Sequence, residues 1–375
     1  MLGIEQLSFW EKRNYTEGID FLVIGAGIVG ISAALAIKET RPKAKVLILE
    51  RGYLPTGAST KNAGFACIGS PSEILNDLKH QSENEVFETV EKRYRGLQLL
   101  REEVGDQNLG YQSLGAYEIF EESQKDLFEN CREQLDYLNQ QLRGICQLEQ
   151  TFSLAPSYCQ QAGFKGFTHA ISHAAEGQLE TDKMMQALKQ KAEAAGVLFL
   201  YGVEVKAIGR QVLETPFGEL KFDKAVLCTN GLAQRFLPEE VKPARAQVLV
   251  SSPLPKLKFQ GIHHFDEGYY YFRNIGNRVL FGGGRNLDFK SEESTEIETT
   301  TLIQNELIRL LKEKLLPEED FSIDYQWAGI MGVGNSKQAM VKKLRADLYC
   351  AVRLGGMGVA IGCLLGEEVA ELMLR

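Results

Sequence analysis

The order of apolar and polar positions separates the chain into three kinds of stretch. Short unbroken apolar runs come first, Phe21-Leu-Val-Ile24 and Val46-Leu-Ile-Leu49. Runs without polar alternation predict strands buried on both faces. Between them, Ile28 to Ile37 is small and apolar, which predicts a buried helix. From Pro71 to Gln150 charged and polar residues dominate, with apolar residues at helical spacing, as in Leu127, Cys131, Leu135 and Leu138. Two or three amphipathic helices are expected there, interrupted by a strand at Gly115-Ala-Tyr117-Glu-Ile119-Phe120. Thr181 is the expected N-cap of a helix running to about Ala195. Gly196 to Val205 reads as a strand and turn, paired with the strand Lys224-Ala-Val-Leu-Cys228, which ends in the polar turn Thr229-Asn230-Gly231. From Pro243 to about Asp288 the period becomes two. Ala246 to Val250, Tyr269 to Arg273 and Arg278 to Gly282 therefore predict antiparallel strands. Thr295 to Leu315 is again helical. A strand from Leu348 to Val352, a glycine turn and a helix from Val359 to about Met373 close the chain. Ser8-Phe-Trp-Glu11, before the first strand, carries no readable role.

The 375 residues suffice for two domains, and a hydrophobic fraction of 44% with 25% charged residues is ordinary for a globular protein. The net charge of −8 argues against a nucleic-acid partner, which needs clustered Lys and Arg, and weakly against docking on an anionic membrane. The seven cysteines are scattered with no CxxC, the pattern of reduced thiols in a cytoplasmic protein. Neither a cleavable signal nor an integral membrane segment is expected, because the first apolar stretch is short and glycine-interrupted.

Candidate chemistry begins at Gly25-Ala-Gly27-Ile28-Val29-Gly30, between the first strand and its helix. Gly25 allows a tight turn, Gly27 lets backbone N–H groups approach a pyrophosphate, and Gly30 lets the helix pack on the strand. Glu50 ends the second apolar run, 20 positions past Gly30. That spacing suits a carboxylate that binds an unphosphorylated adenosine ribose, in FAD or NAD. Arg51 follows, and then the small polar loop Gly57-Ala58-Ser59-Thr60-Lys61-Asn62-Ala63-Gly64, which can lie against a flat polar ligand. Gly355-Gly356-Met357-Gly358, before Val359, starts the last helix. A helix N-terminus carries roughly +0.5 of a charge and would stabilise an anion at a flavin's pyrimidine edge.

These pieces in this order resemble the FAD-dependent D-amino-acid and glycine oxidase family, which includes sarcosine oxidase and related amine dehydrogenases. The resemblance runs from about Asp20 to the C-terminus and also draws on Gly177-Gln-Leu, Val203-Glu-Val205, Cys228-Thr-Asn230-Gly231 and Trp327-Ala-Gly329. It implies an α/β fold: a Rossmann-like FAD-binding domain with a discontinuous second α+β substrate domain on a mostly antiparallel sheet. The boundaries expected are 1–80, 151–235 and 325–375 for the FAD domain, and 81–150 and 236–324 for the substrate domain. By the same resemblance Glu50 binds the ribose, and Ser59, Thr60, Lys61 and Asn62 lie along the flavin and pyrophosphate. Val205 meets adenine, Asn230 and Gly231 contact the adenosine half, and Gly356, Met357 and Gly358 approach the isoalloxazine ring. Hydride is expected to pass from a C–H next to nitrogen, in an amine or amino-acid-like substrate, to flavin N5. Oxygen or another acceptor then takes the electrons.

Three departures from the family pattern qualify this. Amino-acid oxidases of the family commonly place an Arg where Trp327-Ala-Gly-Ile-Met331 has Met331, so a carboxylate clamp would have to come from Arg273 or Arg353. The sarcosine oxidases attach their flavin through a Cys in this neighbourhood, and no Cys lies between Phe321 and Tyr349 here, so the comparison with that branch implies non-covalent FAD. Arg278 to Gly282 offers no lysine to aid oxygen, which leaves the acceptor open. Tyr269 is the first candidate substrate residue, followed by Tyr271 and Arg273 on the same strand face and Met331. His169 and His173 have a helical metal-ligand spacing with no completing acid, so no metal is expected. Of His263 and His264, neighbours on a strand, at most one faces inward as an acid–base candidate. The alternatives are a flavin dehydrogenase of a 2-hydroxy acid or polyol, and a non-catalytic FAD-binding protein.

Overall fold

The two apolar runs lie side by side in a six-stranded sheet of the computed structural model, which describes residues 3–375. The strand order is Met340–Arg345, Leu348–Val352, Lys224–Leu227, Phe21–Ile24, Val46–Glu50 and Leu198–Tyr201. All neighbours are parallel except the first pair. The expected pairing of Leu198–Tyr201 with Lys224–Leu227 does not form; two strands separate them. Ala225, Val226 and Leu227 are buried and take neighbours on both sides, whereas Leu198–Tyr201 is half-buried throughout and suits an edge.

The helix Ile28–Thr40 is apolar all round because it is covered on both sides. The sheet lies against one side. The final helix, Gly358–Leu374, lies against the other and approaches closely at two glycines. A Cβ at Gly362 would stand 2.6 Å from Ile28 Cγ2, and one at Gly366 would stand 2.5 Å from Ser32 Cβ.

The second sheet has eight strands, in the order Ile323–Val333, Lys242–Ser251, Arg278–Gly283, Tyr270–Ile275, Ile262–Phe265, Ala116–Glu121, Phe167–His173 and Phe152–Leu154. It is antiparallel apart from the pair Ile262–Phe265 and Ala116–Glu121. Phe152–Leu154, Phe167–His173 and Ile323–Val333 thus belong to this sheet, so boundaries at 151 and 325 would cut through it. Ala116–Glu121 needs ladder partners on both edges and finds the second in Phe167–His173. His169 and His173 accordingly sit on a strand rather than a helix, and no metal-binding cluster exists among the described residues.

Between Pro71 and Gln150 the structure has five helices, more than expected: Pro71–Leu78, Glu83–Val104, Asp106–Leu109, Lys125–Glu133 and Leu135–Cys146. Ser70 and Ser82 open the first two with capping boxes completed by Glu73 and Glu85. Glu180, not Thr181, is the N-cap of the helix Thr181–Ala194; the Thr181 hydroxyl instead donates to Asn62 Oδ1 at 2.9 Å. The helix expected from Thr295 begins at Thr301, because the Thr300 N–H donates to Gln247 Oε1 at 2.8 Å and ties the preceding segment to the sheet. No helix among the described residues is long and apolar enough to cross a membrane.

Candidate functional site

A cavity of about 660 Å³ is lined by residues of both sheets and of the loops between them. Its glycine-rich end follows from backbone sterics. Gly25 has φ +110°, and a Cβ there would meet the Cys228 carbonyl oxygen at 2.9 Å. A Cβ at Gly27 would meet Ser59 Oγ at 2.9 Å, and one at Gly30 would lie 2.1 Å from the Gly25 carbonyl oxygen. The helix that starts at Ile28 points its first turn at the cavity. The Ile28 N–H donates to Ser59 Oγ at 3.0 Å, while the N–H groups of Val29 and Gly30 lack intrahelical acceptors. The Glu50 carboxylate is fixed at the same end. One oxygen accepts from the Ala26 N–H at 3.2 Å, and the other accepts from the Gly52 N–H at 3.0 Å. Free N–H groups beside space that any side chain would fill, with a carboxylate one strand away, fit a dinucleotide.

The loop after Glu50 is braced from within. Asn62 Nδ2 donates to the carbonyls of Ser59 and Ala58, and Asn62 Oδ1 accepts from the Gly64 N–H. Trp327 Nε1 donates to the Lys61 carbonyl at 3.0 Å and seats the loop on the second sheet. Ala58, Ser59, Lys61, Asn62 and Arg51 line the cavity, whereas the Thr60 hydroxyl turns away to the Pro55 carbonyl. At the other wall, Gly355, Gly356, Met357, Gly358 and Val359 line the start of the last helix, with Gly329 and Met331 opposite. Met331 Sδ stands 3.7 Å from where a Cβ of residue 356 would be. Val205 and Asn230 also line the cavity. Asn230 Oδ1 accepts from the N–H groups of Arg353 and Leu354 and so positions the last turn. Gly231 and Gly30 lie behind the surface: a Cβ at Gly231 would strike the Met331 carbonyl oxygen at 2.2 Å, which gives Gly231 a packing role instead of the expected adenosine contact.

Register builds the remaining wall. Glu118, His264, Tyr271, Gly282, Val248 and Trp327 are successive cross-strand partners. Gly282 leaves room for its neighbour, since a Cβ there would lie 2.7 Å from the Tyr271 ring. Phe65, from the loop, meets both Tyr271 and His264 edge-on, with ring centroids 5.4 Å apart in each pair. Tyr271 and His264 line the cavity, and burial pushes the Tyr271 hydroxyl up to about 12. Tyr269 lines it too but precedes the strand, is 42% exposed and packs edge-on against Phe289. Arg273 does not line the cavity. Its guanidinium lies beneath Gly64, is 2% exposed, and has no partner for Nε or Nη1. Arg353 lines the cavity but spends its guanidinium on the Gln338 carbonyl and Ser336 Oγ. His263 and His264 face opposite ways: His263 stacks on Phe272 in the core.

Glu73, Arg93, Cys67 and Arg285 also line the cavity, and Glu118 and Glu176 are buried near His264. None was singled out from the sequence. Ser70-Pro-Ser-Glu73 carried a capping-box signal that located Glu73 as a cap, and Arg93 was one polar residue of an amphipathic helix.

Two predictions arise from this geometry. Glu50→Ala removes an acceptor fixed by two backbone donors. A hydrogen bond to a charged group contributes about 1.5–3 kcal/mol, so FAD affinity is expected to fall about tenfold to a hundredfold. Titration of flavin fluorescence checks this, and unchanged affinity would count against a ribose contact. Glu118 concerns pH. Burial pushes its carboxyl from 4.5 up to about 7 despite the hydrogen bonds from Ser72. Because the folded-state value lies above the unfolded one, its contribution to stability is fully present below about 4.5 and is lost as pH rises through about 7. Wild-type stability to urea, relative to Glu118→Gln, is expected to decline across that window; a difference independent of pH would contradict it.

A family described as FAD dependent oxidoreductase matches residues 20–372. The chain is 23% identical over 384 residues to a probable oxidoreductase, OrdL, of Haemophilus influenzae, covering 96% of this chain and 83% of that one. It is 25% identical over 289 residues to glycine oxidase of Geobacillus kaustophilus, covering 71% and 70%. Among solved structures, L-proline dehydrogenase from P. horikoshii superposes with a TM-score of 0.75 at 17% identity, over 96% of this chain and 94% of that one. The G. kaustophilus glycine oxidase structure gives 0.74 at 19% identity, over 95% and 94%. At these identities the structural likeness establishes the shared fold.

Proposed function

Since the chain belongs to the family of FAD-dependent oxidoreductases, we propose that it oxidises a small amine or amino-acid derivative at the carbon next to nitrogen. The observation that carries this reading is the single cavity that joins the Gly25–Gly30 turn and Glu50 to the Tyr271 and His264 face of the second sheet. When bound, FAD accepts a hydride from the substrate carbon. The residues at the glycine-rich end hold the dinucleotide. Gly25, Gly27 and the first turn from Ile28 would take the pyrophosphate, Glu50 would take the ribose, and Val205 would meet the adenine. The loop Ala58 to Asn62, Gly329 and the turn Gly355 to Val359 frame the ring, held without a covalent bond because no cysteine stands between Phe321 and Tyr349.

The substrate occupies the space under Tyr271, Phe65 and His264. Tyr271 offers a hydroxyl that stays protonated at neutral pH, and Phe65 and Met331 supply apolar surface that excludes water. Met331 cannot form the paired hydrogen bonds of an arginine, so a carboxylate on the substrate has to be recognised elsewhere on the wall. Arg93 and Arg285 also line the cavity. Glycine oxidase and L-proline dehydrogenase, the similar proteins, are named for amino-acid substrates, which supports the same bond class here.

The test is visible absorption of the purified flavoprotein without air during addition of amines, amino acids of both hands, 2-hydroxy acids and polyols. Bleaching by an amine or amino acid is expected. Bleaching by hydroxy acids or polyols alone would move the assignment to an alcohol dehydrogenase, and readmitting air then reports whether oxygen reoxidises the flavin.

A further inference from the structure

The structure assigns a proton acceptor to the cavity: we propose that His264, oriented by Glu176, takes a proton from the substrate nitrogen before the neighbouring C–H bond breaks. This rests on the amine reading above. His264 lines the cavity and is the cross-strand partner of Tyr271, so it sits on the wall that faces the substrate. Its Nε2 lies 3.8 Å from Glu176 Oε2. Glu176 is 1% exposed and cannot drift, because its other oxygen accepts from the N–H groups of Ile68 at 2.6 Å and Gly69 at 3.0 Å. His173 Nε2 stands 3.4 Å from that same oxygen. A carboxylate that faces one imidazole nitrogen holds a proton there and turns the other, Nδ1, into an acceptor.

The chemistry requires such a group. A free alkyl amine titrates at about 10, so at neutral pH it arrives as an ammonium ion with no lone pair. One N–H bond breaks and its proton goes to His264 Nδ1. The nitrogen lone pair then forms the C=N bond as the hydride, with its two electrons, leaves carbon for FAD. Proton and hydride together account for the two hydrogens removed, and the product is an iminium ion. The positive charge gained by the imidazole faces the Glu176 carboxylate.

Several charged and titratable groups surround His264. Glu176 stands by its Nε2, Glu118 and Tyr271 lie on the flanking strands, and Glu73, Cys67 and Arg93 line the same cavity, with His173 on the other oxygen of Glu176 and His263 next in the chain. Burial opposes a charge on His264, but Glu176, with Glu73 and Glu118, holds it above the ordinary histidine value. Burial likewise opposes ionisation of Glu176, yet the two histidines and the Gly69 N–H bring it down to about 2. The Glu176 carboxylate therefore favours the protonated imidazole that the transfer creates.

Rapid mixing of the holoenzyme with saturating amine, without air, reads the rate of flavin reduction against pH. In wild type the rate is expected to rise with pH along a limb that titrates above the ordinary histidine value. Two amines of different basicity should share that limb. His264→Asn, checked for full flavin content, is expected to lose about a hundredfold to ten-thousandfold in this rate at neutral pH and to recover part of it where free amine exists. Glu176→Gln is expected to shift the limb to lower pH. A limb that follows each amine's own basicity in wild type would overturn the assignment with no variant needed. So would His264→Asn enzyme with wild-type rate and limb. Wild-type enzyme that no amine reduces would instead remove the amine reading itself and this role with it.

Discussion

Gly30→Ala is expected to yield a protein that purifies without FAD. The added Cβ would stand 2.1 Å from the Gly25 carbonyl oxygen and 3.0 Å from Val23 Cγ1. The nearest obstacle is backbone, just past the strand Phe21–Ile24 and tied by the Gly25 N–H donating to the Leu49 carbonyl at 2.8 Å, so no flexible side chain can yield. Overpacking of a rigid core destabilises by about 1–3 kcal/mol even where some adjustment is available. Here the adjustment is a shift of the helix Ile28–Thr40 away from its strand, which misaims the N–H groups of its first turn. Those groups contribute only if they point at the phosphates, so binding is lost beyond what the strain alone removes. Flavin absorbance per protein and the Kd for added FAD measure the effect, and a rise in Kd of at least about a hundredfold is expected, equivalent to about 2.7 kcal/mol. Gly144→Ala is the control. It lies in the helix Leu135–Cys146, away from the cavity, with nothing within 4 Å of its Cβ position. A yellow, stoichiometric Gly30→Ala protein would refute the packing argument.

Glu292→Ala is expected to lower the unfolding free energy by about 3–5 kcal/mol, the range found when one partner of a buried ion pair is removed. Glu292 is 1% exposed and holds three groups at once. Arg245 donates through Nη2 at 2.6 Å and Nε at 3.0 Å, and Gln247 Nε2 donates at 3.1 Å. Gln247 also donates to Thr300 Oγ1 at 2.9 Å, next to the helix Thr301–Leu310. Removal of the carboxylate leaves a guanidinium without its counter-ion and an amide with one partner fewer. Urea unfolding of the holoenzyme reads the loss. The double variant Arg245→Met, Glu292→Leu is expected to regain most of it, because burying no charge is often as favourable as burying a satisfied pair. If the single variant unfolds like wild type, the network contributes nothing to stability.

The cofactor end was legible because its requirements are local. A strand, three glycines at fixed spacing and an acid at the end of the next strand are read along the chain, and Gly25, Gly30 and Glu50 stand where that logic places them. The strand carrying Tyr271 was legible for the same reason, since alternation is a short-range signal. Partner choice was not. Whether Lys224–Leu227 lies beside Leu198–Tyr201 depends on which strand needs two neighbours, a property of the whole sheet. The groups around His264 escaped for a related reason. Glu118 sits mid-strand, Glu176 lies in a turn and Arg93 lies on a charged helix, positions where acids and bases are ordinarily solvated. Only the packing of the two sheets brings them indoors. The strand begins at Tyr270, one residue later than alternation predicts, which leaves Tyr269, the first candidate by sequence, 42% exposed at the rim and puts Tyr271 on the wall.

The interleaving of the two sheets sets the timing of synthesis. The strands at the centre of the six-stranded sheet come from residues 21–24, 46–50, 224–227 and 348–352, and the closing helix ends at Leu374. A nascent chain emerging from the ribosome can form the first strand and helix early, but the Ile28–Thr40 helix keeps an apolar face bare until residues 358–374 are made. Such a face is a binding site for chaperones and a hazard for aggregation. The enzyme therefore becomes competent to capture its cofactor only once residues 358–374 have emerged, and removal of that helix should leave the earlier residues unable to complete the cofactor-binding core.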